Sequence, residues 1–280
     1  MPAPRAFLIG HPVAHSRSPM LHGYWLKRYG LDGAYELVDV EPGKVDAFFA
    51  RLRDEGWAGG NVTVPHKVAV MPFLNRVEAA ARAVGAVNTI WREGETLVGG
   101  NTDVAGFIDN LDELAPGWDD SAQNAVIIGA GGAARAIVYA LKQRRLRVAL
   151  ANRTIDKAEE IATDLGGVTA HGLEALPDLL GEADLLVNTT SLGMLGKPPL
   201  ELDIAPLKKG AVVYDIVYVP LETPLLRQAK AGGHRTVDGL GMLLHQAAPG
   251  FQRWFGQRPE VTTELRALLE ADIRARTAGA

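Results

Sequence analysis

Three stretches of the chain carry side chains whose types and spacing could do chemistry. In Asn61-Val62-Thr63-Val64-Pro65-His66-Lys67 a primary amine follows a polar pair. On a strand, Asn61 and Thr63 share one face while Val62 and Val64 take the other. Pro65 ends that strand and opens a helical segment, so Lys67 is expected at the strand's C-terminal mouth, the edge where open α/β sheets take ligands. An amine there could give a proton to a reacting oxygen or take one from it. The second stretch is Gly129-Ala130-Gly131-Gly132-Ala133-Ala134, and the third is Asn152-Arg153-Thr154 with Lys157 one turn further.

The glycine stretch sits between an apolar run, Ala125–Ile128, and a helical pattern. Small residues at 129, 131 and 134 match a dinucleotide-binding turn. The first glycine allows the sharp turn, the second lets backbone approach a pyrophosphate, and the small third residue lets helix and strand pack closely. Free N–H groups at the helix start then hold the phosphates. An NAD site wants an acid at the end of the next strand, for the ribose hydroxyls. Here that strand ends in Asn152-Arg153-Thr154, and an acid would in any case repel a 2′-phosphate. A guanidinium can grip that phosphate with two charge-assisted hydrogen bonds. The residues therefore point to NADP, with Thr154 also suited to cap the following helix.

Other polar positions admit two readings each. Ser18, before Pro19, suits a helix N-cap, yet Ser16 and Ser18 together could hold a carboxylate. Asn88 is an amide on an apolar strand, and Asp103 or Thr102 could cap the helix that follows. Gln246 interrupts an apolar helical pattern and is either a surface amide or a donor aimed into a cleft. His11 and His15 stand four apart, but Pro12 and the turn-like context argue against a helix, so no metal site is expected.

These residues need elements to position them. Strands are expected at Arg5–Gly10, Tyr35–Val40, Gly60–Val64, Arg147–Ala151, Asp184–Asn188 and Ala211–Tyr214, besides Ala125–Ile128. Helices are expected at Pro19–Tyr29, Pro42–Glu55, Val104–Leu114, Gly132–Arg144 and Ile155–Leu165, with two more, Gly239–Phe255 and Glu260–Arg276, closing the chain. Glu93-Gly94-Glu95 reads as a hairpin turn between Val87–Arg92 and Thr96–Gly99. Strand–helix alternation argues for α/β architecture with parallel sheets. The polar, turn-rich segment 116–124 leads into a second unit.

Composition sets the outer limits. A length of 280 residues suits about two domains. With 47% hydrophobic and 22% charged residues the chain is globular, not disordered. The net charge of −4 and the lack of a long basic run argue against a nucleic-acid partner. The absence of cysteine removes disulfides, thiolate nucleophiles and cysteine-based metal centres. No signal peptide or membrane span is expected, and a cytoplasmic location is the default.

Seven motifs in order give the chain its resemblance to the shikimate dehydrogenase family. They are Ser16-Arg17-Ser18-Pro19, the Asn61–Lys67 segment, Gly85-Ala86-Val87-Asn88-Thr89, Asn101-Thr102-Asp103, Gly129-Ala130-Gly131-Gly132-Ala133, Asn152-Arg153-Thr154, and Asp238-Gly239-Leu240-Gly241-Met242 with Gln246. The resemblance covers the chain end to end. It implies an α/β protein of two domains: an N-terminal substrate domain, 1–103, completed by C-terminal helices in 239–280, and a Rossmann-type NADP-binding domain, 104–238. It implies Lys67 and Asp103 as the catalytic pair, and Ser16 and Ser18 as ligands of the substrate carboxylate. Asn61, Thr63, Asn88, Asp103, Tyr218 and Gln246 would surround the ring hydroxyls. Ile216, Gly239 and Met242 would border the nicotinamide, and Thr190 would lie along the cofactor.

The implied activity is the reversible NADPH-dependent reduction of 3-dehydroshikimate to shikimate, by a monomer or homodimer. Lys157 stands where an arginine is common, which keeps the charge and loses the bidentate fork. Ser18 stands where relatives that accept quinate often carry threonine, which leans towards shikimate. The competing readings are a quinate/shikimate or aminoshikimate dehydrogenase of broader scope, and a non-catalytic NADP-sensing regulator.

Overall fold

The computed structural model describes residues 3–52 and 55–278. The chain divides into two compact units, Met1–Asp103 with Leu244–Leu269, and Val104–Leu243 with Glu270–Ala280.

The first unit holds strands β1 (Arg5–Gly10), β2 (Ala34–Asp39), β3 (Trp57–Val62), β4 (Arg76–Val77), β5 (Thr89–Glu93) and β6 (Thr96–Gly100). Its helices include α1 (Ser18–Arg28), α2 (Val45–Leu52) and α3 (Ala79–Val84). The strands form one sheet in the order β2-β1-β3-β5-β6-β4. β1 alternates cleanly. Phe7 and Ile9 join a core with Phe48, Phe49 and Leu52 of α2, while Ala6 and Leu8 join a second cluster with Tyr35 and Trp254. Both sheet faces are thus covered, which suits the apolar character of this strand.

The expected parallel sheet is mixed here. β3 pairs antiparallel with β5, and β5 antiparallel with β6. The β5–β6 pair is the hairpin expected at Glu93-Gly94-Glu95: Gly94, at φ +61°, turns the chain in a tight connection that parallel strands cannot use. The helix expected from Pro65 also does not form. Residues 63–70 make a series of turns before a short 3-10 helix at Met71–Phe73. The Lys67 carbonyl accepts instead from the Val87 N–H at 2.8 Å, so it is spent on a tertiary contact rather than on a helical ladder. Strand β3 ends at Val62, one residue before Thr63.

The second unit holds β7 (Asn124–Ile128), β8 (Arg147–Ala151), β9 (Val168–His171), β10 (Leu185–Asn188), β11 (Val212–Asp215) and β12 (Arg235–Val237). Its helices are α4 (Asp103–Leu114, whose first residue belongs to the first unit), α5 (Gly132–Gln143), α6 (Ile155–Leu165), α7 (Leu176–Glu182) and α8 (Pro224–Ala231). All its strand pairs are parallel, in the order β12-β11-β10-β7-β8-β9. That is the doubly wound dinucleotide-binding order, which reverses direction at β7. Ala125 and Ile127 face one buried cluster with Ile137 and Leu141 of α5, and Val126 and Ile128 face the other with Leu180 and Leu226.

Helix α9 (Leu240–Phe255) gives its first turn to the second unit and the rest to the first. Helix α10 (Thr263–Ala278) closes the described chain. Among the described residues no helix is long and apolar enough to cross a membrane.

Candidate active site

In the first unit the turns after β3 carry Lys67, and the start of α4 carries Asp103. Lys67 Nζ lies 2.5 Å from Asp103 Oδ2, with the two side chains 15% and 8% exposed. A nearly buried carboxylate facing one amine is a charge-assisted pair. The second carboxylate oxygen is also taken: Asn88 Nδ2 donates to Asp103 Oδ1 at 2.8 Å. The Asp103 N–H donates to Asn101 Oδ1 at 3.1 Å, and Asn101 Nδ2 donates to the Ala86 carbonyl at 2.9 Å. Asp103 therefore does not need its side chain to cap α4; its neighbour Asn101 receives the exposed N–H, and the carboxylate is left to the amine.

Asn88 is the centre of this network. Its Oδ1 accepts from the Thr102 N–H at 2.8 Å and from the Thr89 hydroxyl at 2.9 Å. A backbone N–H can only donate and a carboxylate can only accept, so the amide has one possible orientation. Its Nδ2 also lies 3.0 Å from Thr102 Oγ1. Gln246 Oε1 is 3.4 Å from Asn88 Nδ2 and 3.5 Å from Thr102 Oγ1, which brings Gln246 of α9 to the same cluster. Thr102 and Thr89 join most of these bonds, although neither stood out as a site residue in the sequence. Their only sequence signal is adjacency to Asp103 and Asn88.

Asn61 is buried, and its amide is bound at both ends. Its Nδ2 donates to the Asn88 carbonyl at 3.1 Å and to Thr89 Oγ1 at 3.2 Å, and its Oδ1 accepts from the Tyr35 hydroxyl at 2.7 Å. Thr63 lies just beyond the strand, its N–H on the Ile9 carbonyl at 2.8 Å. Ser18 is the first residue of α1, not its N-cap, and Arg17 takes the cap position. The Ser16 hydroxyl donates to Ser18 Oγ at 3.1 Å and accepts from the Ser18 N–H at 3.2 Å, so the two hydroxyls face each other at the helix entrance. His66 packs inward, with Nε2 2.6 Å from the Val40 carbonyl.

The second unit holds a different kind of site. Between β7 and α5 the chain turns at Gly129, whose φ is +106°. A Cβ there would meet Thr189 Oγ1 at 2.7 Å, so the turn requires glycine. At Gly131 a Cβ would meet nothing within 4 Å, which means open space beside the helix start. Gly131 is the N-cap of α5 and no side chain caps the helix. The N–H groups of its first turn, which begins at Gly132 and Ala133, are left for an anion.

A cavity of about 300 Å³ opens beside this turn, lined by Gly129, Ala130 and Gly131, by Asn152, Arg153, Thr154 and Lys157, and by Thr189 and Thr190. Asn152 Nδ2 donates to the Thr154 carbonyl at 2.8 Å, which shapes the loop after β8. Thr154 takes the N-cap position of α6 without a side-chain bond. Arg135, near the glycine turn, is spent on Asp164 of α6 at 2.7 Å. Arg153 and Lys157 are exposed on the cavity wall, and no carboxylate lines it. Two cations, an uncapped helix start and no acid fit a phosphate-rich ligand with an extra phosphate on its ribose.

Thr190 is held by its hydroxyl, which donates to Asn188 Oδ1 at 2.8 Å. Ile216 and Tyr218 follow β11, and Gly239 follows β12. Tyr218 thus lies in the second unit, apart in the chain from the other expected substrate contacts, which belong to the first. Met242 is 8% exposed and packs in the core with Phe107 and Tyr214. Among the described residues no group of three or more His, Asp or Glu side chains is gathered as a metal ion would need.

Asp215, at the end of β11, holds the loop that carries Ile216 and Tyr218. Its Oδ1 accepts from the Val217 N–H and from Asn188 Nδ2, both at 3.0 Å, and its Oδ2 from the Thr223 hydroxyl at 2.7 Å. Burial raises its pKa to about 6, against the opposing pull of these bonds. A carboxyl whose folded pKa is raised binds its proton more tightly when folded, so its ionisation destabilises the fold as pH rises from the unfolded value towards about 6. Asp215→Asn is therefore expected to gain on wild type across that window, by on the order of 3 kcal/mol at most. Urea unfolding of both proteins between about pH 4 and 7 checks this; a constant difference across the window contradicts it.

Three family models match the chain: the shikimate dehydrogenase substrate binding domain over residues 8–90, shikimate / quinate 5-dehydrogenase over 114–195, and the shikimate 5'-dehydrogenase C-terminal domain over 239–269. The chain is 54% identical over 274 residues to the shikimate dehydrogenase (NADP(+)) of Azorhizobium caulinodans, covering 97% of this chain and 98% of that one. The crystal structure of shikimate 5-dehydrogenase from Thermus thermophilus, in complex with NADP(H) and shikimate, superposes with a TM-score of 0.84 at 34% identity, over 97% of this chain and 99% of that one. The quinate dehydrogenase of Corynebacterium glutamicum, in complex with NAD, superposes with a TM-score of 0.86 at 31% identity, over 95% and 99%.

Proposed function

The chain belongs to the shikimate dehydrogenase family, and from that premise we propose that it catalyses the reversible NADPH-dependent reduction of 3-dehydroshikimate to shikimate. This is an oxidoreductase step on the route to chorismate and the aromatic amino acids. The observation that carries the reading is the pairing of Lys67 Nζ with Asp103 Oδ2 at 2.5 Å, an amine that a nearly buried carboxylate holds ready for proton exchange.

Residues 1–103 with 239–280 serve as the substrate domain in this reading, and residues 104–238 as the NADP domain. Ser16 and Ser18 donate to the substrate carboxylate. Asn61, Thr63, Asn88, Tyr218 and Gln246 surround the ring hydroxyls, with Asn88 working mainly by holding Asp103, since its amide is already committed on both sides. Gly129–Ala133 cradle the pyrophosphate, and Asn152, Arg153, Thr154 and Lys157 take the 2′-phosphate. Thr190, Ile216, Gly239 and Met242 border the rest of the cofactor. When bound, NADPH supplies the hydride.

The protein's part is orientation and one proton. As the ketone becomes an alcohol its oxygen gains negative charge, and Lys67 donates a proton to it. In oxidation the same amine takes the proton back. Asp103 holds the ammonium in place and balances its charge, so Lys67 and Asp103 act as one coupled pair. We place this activity in the cytoplasm, in a monomer or homodimer; a bound nucleic acid or membrane has no part in it.

The test is direct. Purified protein given shikimate and NADP should form reduced nicotinamide and 3-dehydroshikimate together, in equal amounts. Binding of NADP with no turnover of shikimate would sink the reading in favour of a cofactor-sensing role.

A further inference from the structure

We propose that Asn110 is a positioning residue for the nicotinamide, acting through the peptide group between Asp238 and Gly239. It rests on the reading that Ile216, Gly239 and Met242 border the nicotinamide, and adds to it a side chain that touches neither substrate nor cofactor.

Helix α4 turns Phe107, Asn110 and Leu111 inward together, as a spacing of three and four residues allows, and all three are fully buried. Phe107 stacks on Tyr214 of β11 at 4.7 Å, with 19° between the planes, and shares a core with Leu111 and Met242. Asn110 is the polar residue among them. Its Nδ2 donates to the Asp238 carbonyl at 2.8 Å and to the Tyr214 hydroxyl oxygen at 2.6 Å. A carbonyl can only accept, so the amide has one orientation, with both N–H groups in use. Its Oδ1 then lies against α9, in the place that a Cβ on residue 241 would take, which is a physical reason for glycine there. That oxygen is buried with no hydrogen-bond partner among the described residues. An unpaired buried acceptor costs stability, so an amide here is a poor choice for packing alone. What it secures is the Asp238 carbonyl.

The peptide group 238–239 is thereby gripped at both ends. Its carbonyl takes the Asn110 bond, and its N–H, that of Gly239, donates to the Val217 carbonyl at 3.4 Å. A Cβ on Gly239 would overlap the backbone of Ile216, so the two segments lie backbone to backbone. The Asp238 side chain caps α9, its Oδ1 accepting from the Leu240 N–H at 2.9 Å. Asn110 thus couples α4 to the backbone that carries Ile216, Gly239 and Met242. A peptide group held at one end alone can rotate, and the surface it presents to a planar ring moves with it.

Asn110→Ala leaves a cavity and Asn110→Leu crowds Gly241, so the two variants have opposite packing faults and share only the lost donors. Calorimetry with two ligands reads the effect. NADP carries the nicotinamide, whereas adenosine 2′,5′-bisphosphate carries the 2′-phosphate without it. In both variants we expect Kd for NADP to rise about fivefold and Kd for the bisphosphate to stay within about twofold. In turnover kcat should fall about fivefold, with KM for shikimate within about twofold. Tyr214→Phe removes the other partner of Asn110 and keeps the Asp238 bond, so both dissociation constants should stay within about twofold. Equal weakening of both ligands would make Asn110 a general support of the second unit and overturn the proposal. So would unchanged constants in a folded variant, or a loss in Tyr214→Phe equal to that in Asn110→Ala. A wild-type protein that binds NADP yet is inert towards shikimate sinks the functional reading alone, since the two dissociation constants still decide this inference.

Discussion

Lys67→Ala is expected to lower kcat for shikimate oxidation about a thousandfold while KM for shikimate shifts by less than about threefold. Lys67 is held at two points. Its carbonyl is tied to the Val87 N–H at 2.8 Å, and its Nζ is tied to Asp103 at 2.5 Å. Among the groups that would grip the substrate, Ser16 and Ser18 are bound to each other and Asn61 to Tyr35 and the Asn88 backbone carbonyl, none of them through Lys67. Deleting the amine should leave them in place and remove only the group that answers the charge developing on the oxygen. Such a loss falls on turnover and not on ground-state binding, and a thousandfold corresponds to about 4 kcal/mol of barrier. Asp103→Asn is also expected to lower kcat, because an amide can accept from Lys67 only by turning its NH2 onto Asn88 Nδ2, itself a donor, and the charge balance is lost. Steady-state kinetics over a range of shikimate concentrations separate the two parameters. A large rise in KM with intact kcat would make Lys67 a binding residue.

Arg153→Ala is expected to cut the preference for NADP over NAD about a hundredfold, read as the ratio of kcat/KM values. Arg153 and Lys157 stand exposed on a cavity wall that no carboxylate lines. Two charge-assisted hydrogen bonds from one guanidinium, worth about 1.5 kcal/mol each or somewhat more, account for a change of that size. NAD lacks the phosphate and should lose little. Lys157→Ala should lower the same ratio by a smaller factor, since a single ammonium has no bidentate fork. An unchanged ratio in Arg153→Ala would remove the 2′-phosphate from this loop.

The two sites differed in how far the sequence revealed them. The candidate cofactor site was legible because its parts are local. An apolar run, a glycine turn, a helix start and the end of the next strand lie within the 30 residues Ala125–Thr154, and each keeps its own pattern. The structure places the turn at Gly129, and the loop with Arg153 beside it, where the pattern put them. The Lys67–Asp103 pair was different. Lys67 comes from a turn and Asp103 from the start of α4, 36 positions apart, and no spacing rule joins them; only the resemblance did.

Pro65 misled for a physical reason. Proline suits the first turn of a helix, but equally suits a tight turn, and here tertiary bonds from Thr63 and Val87 decide. Tyr35 was hidden because a tyrosine on an apolar strand reads as core, which it also is. Its hydroxyl partner, Asn61, lies 26 residues away and is set by strand pairing. Strands β9 and β12 and helices α7 and α8 were not anticipated either, being short elements with little room for a periodic signal.

Isotope transfer is the sharpest test of hydride exchange between shikimate and NADP. Shikimate carrying deuterium on the carbon that bears its 3-hydroxyl is mixed with NADP and the wild-type protein, and the reduced nicotinamide is examined by mass. The label should appear in the nicotinamide in proportion to the 3-dehydroshikimate formed, with none released to water. Label lost to solvent, or a nicotinamide that stays oxidised while shikimate is in excess, would contradict the account.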